Sequence, residues 1–399
     1  MTIKTVTGAA PALLAPGQAP RPASTIPFNS PSVVGNELRY VAEAMESGQV
    51  AGDGPFTMRC QGLLEESLGV PKSLLTTSCT AALELAALLL EIQPGDEVIV
   101  PAFTFVSTAN AFALRGAHVR FVDVRPDTLN MDETLLEELI TPRTRAIVPV
   151  HYAGVGCEMD AICEIAARRG AAVVEDNAHG LFAAYRGRYL GTRGVLGTQS
   201  FHQTKNFTCG EGGAIVINDP SLIPRAEILR EKGTDRSRFC RGEVDKYTWV
   251  DLGSSFLLSD ILAAVLFAQL EGRESLQERR QRLWEQYERV LGDWADRFDV
   301  QLPVIPGHCQ SSYHLFHLVL PTPDMRERLM AHLNACGVRS AFHYHPLHLS
   351  PMGCGLGGQP GDCPVTESVC DRLLRLPLFP SLTDEDHARV VQAVLSCPL

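Results

Sequence analysis

From Ser73 onward the chain alternates short apolar runs with longer amphipathic stretches. The runs SLLTTS, EVIVPA, HVRFVDV, RAIVPVHY and AAVVED read as strands buried on both faces, because their hydrophobicity is nearly continuous. Helical spacing fills the gaps, as in Ala81–Glu91 and Met159–Arg169. This alternation predicts an α/β fold with a mixed, mainly parallel sheet. Upstream, helices are predicted over Asn36 to Ser47 and from about Phe56 to Leu68, joined by the Gly-containing loop SGQVAGDGP. From about Asp260 one long helical stretch, ILAAVLFAQLEGRESLQERRQRLWEQYERVL, passes from an apolar half into a charged amphipathic half. It reads as a connector into a smaller C-terminal α+β unit holding YHLFHLVL, RERLMAHLNACG and DEDHARVVQAVLSC. The predicted organisation is a disordered Ala- and Pro-rich tail (1–25), a large α/β domain (26–260), and a connector helix with a small domain (261–399).

Composition narrows the function without naming it. With 399 residues, 45% hydrophobic and 20% charged, the chain can bury a substantial core. A formal net charge of -11 argues against nucleic-acid or anionic-membrane partners. No apolar run approaches the roughly 18 residues of a membrane span. The twelve cysteines are scattered, with no CxxC pair, so reduced thiols in a cytoplasmic protein are expected. No metal is expected, because the His and Cys residues lack ligand spacing. Prolines interrupt the apolar run of the tail, unlike an export signal.

Chemistry concentrates in particular segments. The run AAVVED ends in Glu175 and Asp176, followed shortly by His179. Ligands gather at the carboxyl ends of parallel strands, and a carboxylate there can pair with a protonated pyridine nitrogen. Taken alone, the acidic pair is equally a solvated strand end or a helix cap. Downstream, TQSFHQTKNFTCGEGGAIVIND places Lys205 in a polar, Gly-flanked stretch between two apolar runs. A desolvated lysine loses its preference for the charged form, so its amine can attack an aldehyde. An exposed loop lysine is the alternative. Ser200 and Asn206 beside it could bind phosphate oxygens. In LLTTSCTAALELAALLL a strand breaks at Thr76–Ser78 and a helix begins near Thr80, an arrangement suited to an anion or to a simple cap. In PAFTFVSTANAF, Phe103 or Phe105 could stack on a pyridine ring or simply fill the core.

In this order the segments resemble the DegT/DnrJ/EryC1/StrS family of sugar aminotransferases, from Ile26 to the C-terminus. The likeness extends to IPFNSP, GDGPFT, FVDVRPDTLNMDETLLE, REKGTDRS, VDKYTWVDLGSS, FHYHPLH and RLLRLPLFPSLT. It implies a fold-type I transferase dependent on pyridoxal 5′-phosphate (PLP), with pyridoxamine 5′-phosphate as the intermediate form of the cofactor. By position, Lys205 would hold PLP as a Schiff base and shuttle the proton. Asp176 would pair with the pyridine nitrogen, His179 would lie near the cofactor's O3′, and Phe105 would stack on the ring. Thr80, Ala81 and Ser200 would hold the phosphate. Many relatives add an Asn from the neighbouring subunit; GSSFLLSD puts Ser255 at that position, which implies a homodimer with shared active sites.

The resemblance also implies a reaction: L-glutamate would aminate dTDP-4-keto-6-deoxy-D-glucose to a dTDP-4-amino-4,6-dideoxy sugar, closest to the galactose-configured product. A 3-amino sugar or the glucose-configured product would use the same motifs. Sugar 3-dehydratases of the family replace the lysine by His, so Lys205 favours transamination. A non-catalytic PLP-binding regulator is the alternative of another class. Arg236 and Arg238, in REKGTDRSRFCRGEVDK, could bind the nucleotide diphosphate, or could belong to a solvated loop. His343 and His345 of FHYHPLH match a family element near the sugar, with structural histidines as the alternative.

Overall fold

The computed structural model describes residues 25–399, so the tail proposed for 1–25 lies, but for its last residue, outside the described residues. The central sheet is built from β1 (Lys72–Thr76), β2 (Glu97–Pro101), β3 (His118–Val122), β4 (Thr144–Ile147), β5 (Ala172–Asp176), β6 (Leu196–Ser200) and β7 (Gly213–Ile217). Their order is β1-β7-β6-β5-β4-β2-β3. The pairs β2/β3, β2/β4, β4/β5 and β5/β6 are parallel, and β7 runs antiparallel to both β1 and β6. The sheet is therefore mixed and mainly parallel, as the runs of continuous hydrophobicity predict. Every residue of β2 and of β7 is buried, as strands covered on both faces must be.

The predicted helices form with small shifts at their ends. Glu37–Glu46 is α1, Pro55–Leu68 is α2, Cys79–Leu89 is α3 and Met159–Arg169 is α5, and a helix that the pattern did not predict, Val106–Ala113, is α4. Ser78 caps α3: its hydroxyl accepts from the N–H of Ala81 at 3.0 Å. The long helix predicted from Asp260 is two helices, α6 (Asp260–Glu271) and α7 (Arg273–Phe298), broken at Gly272. Gly272 abuts Val34; a Cβ there would lie 2.9 Å from its Cγ1.

The two helices serve different cores. Phe267 of α6 meets Tyr40 of α1 and Phe56 of α2, with ring centroids 5.3–6.1 Å apart across the trio. The buried Asp260 carboxylate accepts from the N–H groups of Phe56 (3.1 Å) and Thr57 (2.7 Å), satisfying the start of α2. By contrast Leu283, Trp284, Tyr287 and Leu291 of α7 join a C-terminal core with the antiparallel pair β8 (Phe316–Val319) and β9 (Leu373–Leu376). Burying each such aromatic contributes roughly 1.5–3 kcal/mol. All twelve cysteines are free thiols, and no described helix is long and apolar enough to cross a membrane.

Candidate active site

A cavity of about 510 Å³ opens at the carboxyl end of β5, lined by residues of β6, α3, α4 and the C-terminal β9. Strand alternation sends the neighbouring carboxylates Glu175 and Asp176 to opposite faces. Glu175 turns to His151 Nε2 (2.9 Å) and accepts from the N–H groups of Gly191 (2.8 Å), Arg193 (2.6 Å) and Gly194 (2.7 Å). Burial alone would raise its pKa, yet these partners hold it below the ordinary value. Glu175 is thus a structural acid.

Asp176 lines the cavity. Its Oδ2 accepts from the Thr108 hydroxyl at 2.8 Å and its Oδ1 from the N–H of Ala178 at 3.2 Å. Burial pushes its pKa up, and no cation of the described residues forms an ion pair with it. Lys205 lines the same cavity from the segment between β6 and β7. Its backbone N–H donates to the His202 carbonyl at 2.9 Å, and no described residue bonds its amine. Burial brings that amine down to about 8.

The first turn of α3 presents hydroxyls and N–H groups at one end of the cavity. Ser78, Cys79 and Thr80 line the cavity, as do Ser107 and Ser200. Thr80 Oγ1 and Ser107 Oγ lie 2.7 Å apart, and the first N–H groups of a helix have no partner within it. Phe105, the residue before α4, is 59% exposed and lines the cavity.

A histidine wall closes another side. His179 stacks on His314 with centroids 4.2 Å apart, and Asn206 Oδ1 lies 2.8 Å from His314 Nδ1. Burial holds both rings well below the ordinary histidine pKa, so they are neutral. His343 stacks on Tyr344 at 3.9 Å, with its Nδ1 3.1 Å from the Tyr152 hydroxyl.

The structure therefore brings together Thr80, Phe105, Asp176, His179, Ser200, Lys205 and His343. Ala81 is buried behind them, its N–H committed to Ser78. Ser255 and His345 are exposed and lie outside the cavity of this chain. Arg236 Nη1 sits 3.5 Å from Glu231 and Arg238 Nε 3.2 Å from Glu243, both outside the cavity. Sequence reasoning missed Ser107, Thr108, His314, Tyr344 and Arg375. Thr108 carried a signal, since it lies one helical turn beyond Thr104 in a segment already singled out. Arg375 was visible as a charged residue inside the apolar run RLLRLPLF.

The residues present fit PLP. His179 Nδ1 is buried without a hydrogen-bond partner, and Asp176 is a buried acid awaiting a cation. Near them are an unbonded amine, a hydroxyl-rich helix start and an exposed aromatic face. Fold and site together define a fold-type I PLP-dependent transferase.

Residues 31–395 match the DegT/DnrJ/EryC1/StrS aminotransferase family, and the chain belongs to it. It is 33% identical over 382 residues to the protein MJ1066 of Methanocaldococcus jannaschii, covering 93% of this chain and 97% of that one. The PLP form of Spr1654 from Streptococcus pneumoniae superimposes with a TM-score of 0.86 at 28% identity, covering 94% and 98% of the two chains. DesV from S. venezuelae superimposes with a TM-score of 0.82 at 34% identity, covering 90% and 93%. The cofactor is PLP, with pyridoxamine 5′-phosphate as its aminated form.

Proposed function

We propose that this aminotransferase aminates a nucleotide-linked keto sugar: dTDP-4-keto-6-deoxy-D-glucose accepts the amino group of L-glutamate, giving a dTDP-4-amino-4,6-dideoxy sugar. The observation that carries this reading is the placement of the unbonded Lys205 amine and the buried Asp176 carboxylate in one cavity. PLP, when bound, supplies an aldehyde that condenses with amines and a ring that draws electrons from the adjacent carbon. Asp176 would hold the proton on the ring nitrogen, and His179 would face the ring oxygen. Thr80, Ser107 and Ser200 would bind the phosphate, while Phe105 would cover one face of the ring.

Once displaced from the cofactor, the Lys205 Nζ would take a proton from the donor's α-carbon and return it on the same face, the one face that the amine reaches. The same amine would run the reverse sequence on the sugar. Its retention favours transamination over dehydration.

The enzyme would act in the cytoplasm as a homodimer. Trp249, Val250 and Leu252 are 50–74% exposed, and a second copy would cover such an apolar segment. Ser255 lies three residues further along the chain, where it would reach the neighbouring subunit's cofactor phosphate.

The test is incubation of PLP-loaded protein with L-glutamate and dTDP-4-keto-6-deoxyglucose, with mass and proton NMR analysis of the sugar nucleotide. An amino sugar absent with Lys205→Ala supports the reading, and ring couplings separate C3 from C4 and galacto from gluco products. Conversion of the cofactor by glutamate without a sugar product keeps the chemistry and changes the acceptor. No spectral change with any amino donor overturns the reading in favour of a binding protein.

A further inference from the structure

Among the described residues, the arginines most withdrawn from solvent have a counter-charge or several carbonyl acceptors. Arg230 pairs with Asp53 and Arg193 with Asp160. Arg280 lies outside the cavity and spends its Nη1 on the carbonyls of Tyr313, His314 and Leu378. Arg375 differs. It sits on β9, opposite His317 of β8, and lines the cavity that holds Lys205. Of the five N–H donors in its fork, the described residues occupy one, through Nη2 to the Phe342 carbonyl at 3.0 Å. Its Nε is buried without a partner, a trait shared with Arg230 and Arg280; what sets Arg375 apart is that it lines the cavity with no carboxylate beside it.

No carboxylate of the described residues lies within ion-pair distance of Arg375; Tyr152 and Tyr344 are the groups that face it electrostatically. The guanidinium carbon lies over the Phe28 ring, 4.6 Å from its centroid. The histidines nearby do not compete for an anion, because burial keeps His314, His317 and His343 neutral. A planar guanidinium with four of its five donors unused and its Nε out of solvent is matched by a planar carboxylate that accepts two parallel N–H bonds. The phosphate of the cofactor is accommodated separately, by the hydroxyls at the start of α3.

We propose that Arg375 is the carboxylate receptor of the active-site cavity, binding a carboxylate of the amino-acid donor or one carried by the acceptor sugar. It is a specificity-determining residue resting on the aminotransferase reading above: it admits a substrate by its carboxylate while Lys205 handles the reacting carbon.

The test compares wild type, Arg375→Gln and Arg375→Lys, each checked for an unchanged circular dichroism spectrum. Three quantities are read: calorimetric binding of 2-oxoglutarate, conversion of the cofactor spectrum by L-glutamate, and conversion by 1-phenylethylamine, which lacks a carboxylate. If the donor supplies the carboxylate, Arg375→Gln weakens 2-oxoglutarate and L-glutamate about ten- to a hundredfold. The 1-phenylethylamine rate stays within about twofold, and Arg375→Lys recovers part of the loss. If the acceptor supplies it, the donor readings are unchanged, and the variant loses binding of a nucleotide-linked uronate but not of its 6-deoxy counterpart. Equal losses for ligands with and without a carboxylate, weakened dTDP binding alone, or no change anywhere overturn the proposal. A wild-type spectrum inert to every amine, with 2-oxoglutarate binding still lost in Arg375→Gln, sinks the aminotransferase reading and keeps the receptor.

Discussion

The Thr108 hydroxyl donates to Asp176 Oδ2 at 2.8 Å, and lies 2.9 Å from the hydroxyl of Thr104 one turn earlier. This bond ties the end of β5 to α4, so the helix that presents Phe105 also fixes the carboxylate. Burial raises the Asp176 pKa, and the Thr108 bond opposes that rise. Asp176→Asn removes the charge, and the glutamate half-reaction slows by about a hundredfold or more, as expected for a lost charge-assisted hydrogen bond. Thr108→Val removes one donor and costs about tenfold. Stopped-flow absorbance measures both; a larger loss in the Thr108 variant would contradict the assigned roles.

How legible this site was in the sequence depended on how local each relationship is. Asp176 and Lys205 were visible as candidates because a strand end and a Gly-flanked polar stretch lie within a few residues, and the family resemblance then implied their roles. Thr108 depends on α4 packing beside β5, and Arg375 on β9 reaching the cavity from far along the chain. Those are tertiary relationships that no short window contains. The break at Gly272 was hidden for the same reason: the apolar-to-charged change in the helix was legible, whereas the approach of Val34 was not. The sheet was the most legible part, because strands buried on both faces leave long uninterrupted apolar runs.

Lys205 gives a pH prediction. Burial lowers its amine from 10.5 to about 8, so the protonated form predominates below that value and the reactive free amine above it. The rate at which cofactor-free protein captures PLP therefore rises with pH through about 8 and levels off. Absorbance-monitored mixing between pH 6.5 and 9.5 reads it directly. A rate still climbing toward 10.5 would show that the amine is solvated.

Glu175 predicts stability instead of activity. Its folded pKa lies below the ordinary 4.5, so its contribution is present above pH 4.5 and is lost as pH falls through the folded value. Glu175→Gln removes a buried charge that His151 and the N–H groups of Gly191, Arg193 and Gly194 surround, costing about 3 kcal/mol or more. Urea unfolding at pH 7 measures that loss. The same titration at lower pH should show a shallower pH dependence in the variant than in wild type.

Gly213 tests the proposed anion-binding turn from behind. It pairs with Thr76 of β1 and Ser200 of β6, at the point where β7 passes under the start of α3. A Cβ there would lie 2.3 Å from the Ser78 carbonyl carbon and 2.4 Å from the Cys79 nitrogen, both backbone atoms that cannot swing aside. Gly213→Ala must push apart β7 and the Ser78–Thr80 turn, moving the hydroxyls and N–H groups proposed to receive phosphate. Overpacking of this kind costs about 1–3 kcal/mol, so PLP affinity should fall about tenfold or more. Pyridoxal, which has the aldehyde but no phosphate, should lose far less. Gly62→Ala, on α2 with open space around it, serves as the control and leaves both affinities unchanged. Fluorescence titration of cofactor-free protein with each compound gives the ratio. An equal loss for PLP and pyridoxal would place the damage at the Lys205 end of the cavity and remove the phosphate from this turn.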